Sequence, residues 1–530
     1  MVLQAGIFHT TNAYGSFDLV RPNSLHRKGE LILLPGIVLA GFLLRVIGLQ
    51  PFAITHWDEG ALWSGAQWFL SFGAAGDYMS RYSPPLPPLL FALSARVFGS
   101  GFQGAIWISA TVGTASIVLI YWLGKDLLSS AAGIAAASML ALSGLNVMYS
   151  RSLLTEPFYV FFLLSTLLAS VRYLRNPSTP MALFPGLAAA CLQFTKYNGA
   201  LAAVPLLAVL ALDVATVRDP LIRRRSAMHF LLVSAIVSSA VLLNIAALWI
   251  TGNLADFRRH YSHYVGQPSL GPLAVARYLG LVTPIVVSCC AVAGLIYVCL
   301  RRRSASWAIV HVGLLLYVAF LFGYTFYLRL LAPISVFLIL YAAAAVHMLT
   351  ESLPARWHVP SLAIVTLVFF LSSWRSLPRF LQRDHSGYNR ASIFLNGVPP
   401  SMPVLMATQQ YVWTDLHRPQ IFIPGTSAPI IRSSTAGATK ALLVVDVHAY
   451  YKYEPRVIAK FLDGLGQDHE IRTISNSLNL DCVENSLTYE ELQRLDSDPD
   501  LKRAVFSIRI FSLDRDDVER LAKSLPGQGW

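Results

Sequence analysis

Acidic residues are scarce in the first 375 residues of this chain, and cysteine is scarce throughout. About eleven Asp and Glu fall in that part against about eighteen after it, while Lys and Arg divide about twenty-four to seventeen. The net charge of +12 therefore belongs to the first part, and the remainder is near neutral. Those cations are scattered between apolar runs and not gathered on one face, which argues against a nucleic-acid surface and suits lipid headgroups and loop orientation. Four of the five cysteines (Cys191, Cys289, Cys290 and Cys299) sit in apolar runs and Cys482 stands alone near the end, so neither a disulfide framework nor a zinc spacing is present. No glycine-rich phosphate fingerprint occurs in the last 150 residues or so, and no nucleotide is assigned there. The first apolar run follows Arg21, Arg27 and Lys28, is too long for a signal core and lacks a small-x-small site, so it is expected to be an anchor that starts in the cytoplasm.

What the sequence has in abundance is apolar length. A mean hydropathy of +0.53, with 55% hydrophobic and 13% charged residues, marks an integral membrane protein. Runs near twenty residues predict about eleven spans, at 31–49, 102–123, 127–148, 153–171, 181–196, 198–214, 229–250, 278–300, 306–323, 331–349 and 358–376. Segment 84–98 is apolar but proline-led, which suits a short re-entrant or interfacial helix or the outer end of the second span. With the N-terminus inside, the loops carrying Lys125, Arg172 with Arg175, Arg218 with Arg223 to Arg225, Arg301 to Arg303, and Arg356 fall inside. An odd number of spans puts the tail outside.

The same walk leaves a second charged set on the outer face: Asp58, Glu59, Arg81, Arg151, Glu156, Lys196, Arg258, Arg259, His260, His263 and Arg329. The acids Asp58 and Glu59 lie just beyond the first span, where a carboxylate needs water, a cation or a substrate. A helix cap or a salt bridge to Arg45 is the plainer role for that pair. Glu156, ahead of Pro157 at the mouth of a span, has a helix-dipole explanation as well as a functional one. His260 and His263, three apart, are spaced to share a helix face and hold a metal with an acid, or to be a solvated loop pair. Trp57, Trp63, Trp68 and Tyr78 read as an interfacial belt that could also stack on sugar.

Several short motifs fall in one order on the outer side. They are Asp58-Glu59, Tyr82-Ser83-Pro84-Pro85-Leu86, Phe98-Gly99, Ser150-Arg151 with Glu156, Thr195-Lys196-Tyr197-Asn198-Gly199, and Tyr327-Leu328-Arg329-Leu330-Leu331-Ala332-Pro333. Over roughly residues 30 to 350 the chain thereby resembles the bacterial branch of the protein O-mannosyltransferase and aminoarabinose-transferase superfamily, multi-span glycosyltransferases of the GT-C fold. The resemblance implies a polyprenyl-phosphate sugar donor, with Asp58 in the place of the catalytic acid and Glu59 as its neighbour. Ser83 stands where aminoarabinose transferases tend to have lysine, with Arg81 two positions earlier, so the likeness carries the broader glycosyltransferase class rather than aminoarabinose transfer.

That chemistry assigns roles to the charges. Breaking the bond from anomeric carbon to phosphate oxygen builds negative charge on the leaving phosphate, which fixed cations or a divalent metal can hold. Lys196 and Arg329 are the first candidates, Arg81 and Arg151 the next. Asp58 is expected to act as general base on the acceptor hydroxyl, and direct inversion needs only that one base. Glu59 could orient Asp58, ligate a cation or cap the helix beginning near Gly60. Glu156, His260 and His263 are kept as acceptor or metal candidates. No cofactor beyond a divalent cation enters this reading. The expected partners are the lipid-linked donor, membrane lipids and an envelope acceptor, in a multi-pass inner-membrane protein whose site and tail are extracytoplasmic.

Beyond residue 376 the pattern changes. Apolar runs at 403–406 and 441–446 read as buried strands, and the charged stretches 490–494 and 516–523 as helices, which fits a compact α/β domain. The expected organisation is a cytoplasmic segment 1–30, a transmembrane domain 31–376 with a catalytic outer loop 50–83, and an extracytoplasmic α/β domain 377–530. A transporter or flippase of lipid-linked glycan is the alternative, but its internal repeats and mid-depth charges are not evident.

Overall fold

The computed structural model describes residues 24–47, 54, 56–80, 82–99, 101–265, 275, 278–279, 283–302, 304–324, 327–374, 387–408, 412–413, 416–423, 427–447, 449, 457–465, 467–476 and 497–525. Residues 1–23, Arg81, Cys482 and the expected helix 490–494 lie outside the described residues. The chain divides into two compact units: Met1–Ile47 with Tyr78–Phe380, and Gly48–Asp77 with Leu381–Trp530.

The first unit is helical because a chain in lipid must satisfy its backbone polar groups within itself. It holds α1 (Ser24–Val46), α3 (Leu86–Phe98), α4 (Phe102–Leu127), α5 (Ser130–Leu142), α6 (Gly144–Ser150), α7 (Glu156–Arg175), α8 (Thr179–Gln193), α9 (Val204–Thr216), α10 (Pro220–Ile250) and α11 (Leu254–Tyr264). They are followed by α12 (Ile285–Arg301), α13 (Ala305–Phe322), α14 (Leu331–Glu351) and α15 (His358–Trp374). Every expected run coincides with one of these helices, or with the pair α5 and α6. That pair is one run bent by 61° at Ser143, whose extended backbone leaves the helix while its hydroxyl accepts from the Asn146 side chain at 2.9 Å. Asn146 Nδ2 also reaches Ser335 Oγ on α14 at 3.2 Å, so the bend is braced from a second helix.

Length and composition, among the described residues, account for part of the eleven spans expected. Six helices among the described residues are long and apolar enough to cross a membrane, and seven if the bent pair counts as one. The others, Ile32–Val46, Leu86–Phe98, Thr179–Gln193, Ile285–Arg301 and Pro360–Ser373, are apolar but shorter. At about 1.5 Å per residue α3 and α8, with 13 and 15 residues, fall short of a core of about 30 Å, whereas α1, which contains Ile32–Val46, has 23 residues.

Contacts sort the helix ends as the charge walk does. Asp126, ending α4, accepts from Arg172 at 2.9 Å and Arg175 at 3.1 Å, ending α7. Arg302, after α12, pairs with Glu351 of α14 at 2.8 Å. Among the residues assigned to the outer face, Ser80 meets Thr251 and Asn253 at 3.3 and 2.9 Å, and Lys196 meets Glu156.

The second unit carries α2 (Trp57–Leu70) and a five-stranded mixed sheet of order β2-β1-β3-β5-β4. The strands are β1 (Val404–Ala407), β2 (Ile421–Phe422), β3 (Lys440–Val445), β4 (Glu470–Ser475) and β5 (Ser507–Asp514). β1 pairs parallel to β2 and β3, while β5 runs antiparallel to β3 and β4. The two apolar runs read as strands are β1 and β3, and Leu405, Leu443 and Val445 from them join Phe511, Leu513 and Leu521 in one buried core. The charged stretch 516–523 lies on helix Arg515–Ser524, capped by Asp514, which accepts from the Asp517 N–H at 2.8 Å.

Candidate active site

The first unit brings three of the sequence-selected residues to one cleft. Glu156 opens α7 with Pro157 behind it, so its carboxylate sits at the helix end where unpaired N–H groups and the dipole favour an anion. Lys196 lies in the turn after α8. That turn is set by its N–H on Leu192 O at 2.9 Å, by Ala200 N–H on Gln193 Oε1 at 2.9 Å, and by Asn244 Nδ2 on Gln193 O at 3.0 Å. Gly199 is required there: a Cβ would stand 2.3 Å from the Leu192 carbonyl. Arg329 comes from the short 3-10 turn Leu328–Leu330 that leads into α14.

Glu156, Lys196 and Arg329 line one cleft together with Asn198, Tyr159 and Tyr317. Lys196 Nζ meets Glu156 Oε1 at 2.5 Å, with the carboxylate only 2% exposed and the lysine 25%. The ammonium also lies 5.6 Å from the centre of the Tyr159 ring, and Arg329 lies 5.1 Å from that of Tyr327. Below them the Tyr159 and Tyr317 hydroxyls meet at 2.8 Å. Two cations thus face one acid in a partly enclosed space, an arrangement suited to an added anion.

The acid pair belongs to the second unit. His56 caps α2: its Nδ1 accepts the Asp58 N–H at 2.9 Å, while Glu59 Oε2 accepts the His56 N–H at 3.1 Å. The same Nδ1 lies 3.8 Å from Asp58 Oδ1. The capping box uses the Glu59 carboxylate and the Asp58 amide; the Asp58 carboxylate is not part of it. Of the three roles open to Glu59, the structure displays the cap. Both side chains are buried.

Other expectations meet different surroundings. Arg151 does not line the cleft: it is buried, with its guanidinium on the carbonyls of Leu44 at 3.1 Å and Ile47 at 2.6 Å, where it closes the end of α1. In this position its guanidinium serves as a clamp on two carbonyls at the end of α1. Arg45, considered as a partner for the acid pair, instead bonds to Ser150 and to carbonyls of its own helix and α5. His260 lies on α11 beside the rings of Tyr82 and Tyr261. His263 is on the same helix, with its side chain outside the described residues. Among the described residues no group of three or more His, Cys, Asp or Glu could hold a metal ion. Tyr159 and Tyr317 went unnoticed in the sequence, although a tyrosine inside an apolar run needs a partner for its hydroxyl.

Residues 82–244 match the family model described as dolichyl-phosphate-mannose-protein mannosyltransferase. No curated protein matches the sequence. Among solved structures, apo ArnT from Cupriavidus metallidurans is similar over 94% of this chain and 99% of its own, with a TM-score of 0.59 and 13% identity. ArnT bound to undecaprenyl phosphate is similar over 80% and 94%, with a TM-score of 0.58 and 13% identity. The oligosaccharyltransferase AglB from Archaeoglobus fulgidus, in complex with an inhibitory peptide and a dolichol-phosphate, is similar over 82% and 71%, with a TM-score of 0.57 and 13% identity. The sequence match over 82–244 and the architecture of the whole chain agree, and the protein has the GT-C fold of membrane glycosyltransferases.

Proposed function

We propose that this protein moves a sugar from a polyprenyl-phosphate carrier to an envelope acceptor on the outer face of the inner membrane. The observation that carries the reading is the meeting of Glu156, Lys196 and Arg329, from three separate segments, in one cleft. Lys196 and Arg329 hold the carrier's phosphate, and their fixed charge stabilises it as the bond to the anomeric carbon breaks. The acceptor hydroxyl attacks that carbon from the opposite face and passes its proton to Asp58. Inversion at the sugar follows from this single displacement. ArnT and AglB, each of which has been captured with a polyprenyl-type phosphate, make that lipid class the natural first donor to test.

The reading is tested by extracting lipid-linked sugars and envelope glycans from a strain that lacks the protein. One carrier-bound sugar should accumulate while one glycan loses that sugar. An unchanged lipid-linked pool together with unchanged envelope glycans would reject the proposal.

A further inference from the structure

Arg45 is wholly buried near the end of α1. Its guanidinium donates to the carbonyls of Gly41 at 2.8 Å, Ala141 at 3.4 Å and Leu140 at 3.4 Å, and to Ser150 Oγ at 3.2 Å. Every one of these acceptors is neutral, and neutral acceptors do not cancel a full charge held away from water. The packing is built around this group: a Cβ at position 113 would stand 2.0 Å from Ser150 Oγ and 3.1 Å from Arg45 Nε, so glycine there lets α4 close on the pair.

Beside Arg45 is a small cavity, which Asn146, Tyr149, Ser150 and Glu156 also line. Glu156 is the acid of the cleft that holds Lys196 and Arg329. Glu156 therefore lines both cavities, the first together with Lys196 and the second together with Arg45.

That position answers a difficulty in the cleft. An entering phosphate must draw Lys196 away from a carboxylate 2.5 Å distant, leaving a charge that is 2% exposed without its partner and close to a second anion. We propose that Arg45 is a positioning residue: across the small cavity its guanidinium balances Glu156 when Lys196 turns to the phosphate. The inference rests on the reading of the cleft as the site of the carrier's phosphate. Arg45 touches neither phosphate nor sugar and acts only through Glu156.

The test titrates the full chain, in nanodiscs of neutral phosphatidylcholine, with undecaprenyl phosphate. Arg45→Gln should weaken binding about tenfold and Arg45→Lys, which keeps the charge, by no more than about threefold. Glu156→Gln should bind at least as tightly as the wild type, and adding it to Arg45→Gln should restore the lost affinity. A merely structural Arg45 is not rescued by removing a carboxylate. Wild-type affinity in Arg45→Gln, or a double variant no tighter than Arg45→Gln, overturns the inference. If Arg45→Gln does not fold, Glu156→Gln decides alone: binding at least as tight as the wild type supports the balance, and a loss of affinity overturns it. Failure of the cleft reading has another signature, since wild type and Lys196→Ala would then bind alike.

Discussion

At one end of the helical unit, Asp126 holds Arg172 and Arg175, which are 46% and 41% exposed. At the other, Lys196 holds a Glu156 that is 2% exposed. Both are carboxylates paired with cations at the ends of apolar helices, and a sequence reader meets them as the same feature. Their energetics differ. An exposed pair contributes about 0–1 kcal/mol and is screened by salt. Removing one partner of a buried pair costs about 3–5 kcal/mol because the other charge is left unbalanced. Burial, and not the sign or number of charges, separates a loop that orients the chain from a cleft that can handle an anion.

The comparison can be broken or sharpened by four experiments. The largest effect is expected for Asp58→Asn, which should lower the rate of sugar transfer by about 10²–10⁴-fold while membrane insertion and expression are unchanged. A near wild-type rate would remove Asp58 as the base. Next is Lys196→Ala, expected to raise the KM for the polyprenyl-phosphate donor about tenfold or more. If KM and kcat both stay put, the buried pair is no more chemical than the exposed one.

A smaller effect is expected in the second unit. Burial pushes the Glu470 carboxyl up, but hydrogen bonds from Arg509 and Thr473 and the charges of Arg509 and Arg503 outweigh it and hold the group below the ordinary carboxylate range. A lowered folded value adds stability above the unfolded pKa of about 4.3, and that stability is lost as pH falls through the folded value. Glu470→Gln should lower Tm by about 2–4 °C at pH 7 and have no effect at a pH below the folded value, read by scanning calorimetry. An equal drop at both pH values would mean that packing, and not charge, is responsible. The smallest effect belongs to Asp126→Asn, expected to leave donor KM unchanged and to shift Tm by about 1 °C or less. A loss of transfer in that variant would collapse the contrast between the two ends.

Much of the helical unit was legible because hydropathy records where lipid or the interior must lie. The ends of the helices were less so: runs 181–196 and 278–300 overstate α8 and α12, since hydropathy does not register the turn at Lys196 or the proline at Pro284. Strands β1 and β3 were readable because both are buried on both faces and thus continuously apolar. Lys196, Arg329 and Glu156 could be chosen by sidedness alone. Arg151 passed the same filter and yet points at the carbonyls of α1, because sidedness fixes the level of a residue but not the direction of its side chain. Arg45 failed that filter, as it lies inside a run, and only the packing of α4 and α5 around it reveals a buried charge.

The two phenols lining the cleft share a single hydrogen bond. Between them they own two hydrogens and the bond uses one, so the other is left to turn toward the oxygen of a guest. Rotation of both hydroxyls exchanges which ring donates and which receives. This pair in the lining of the cleft is thereby a reversible dipole whose direction can change without moving any backbone.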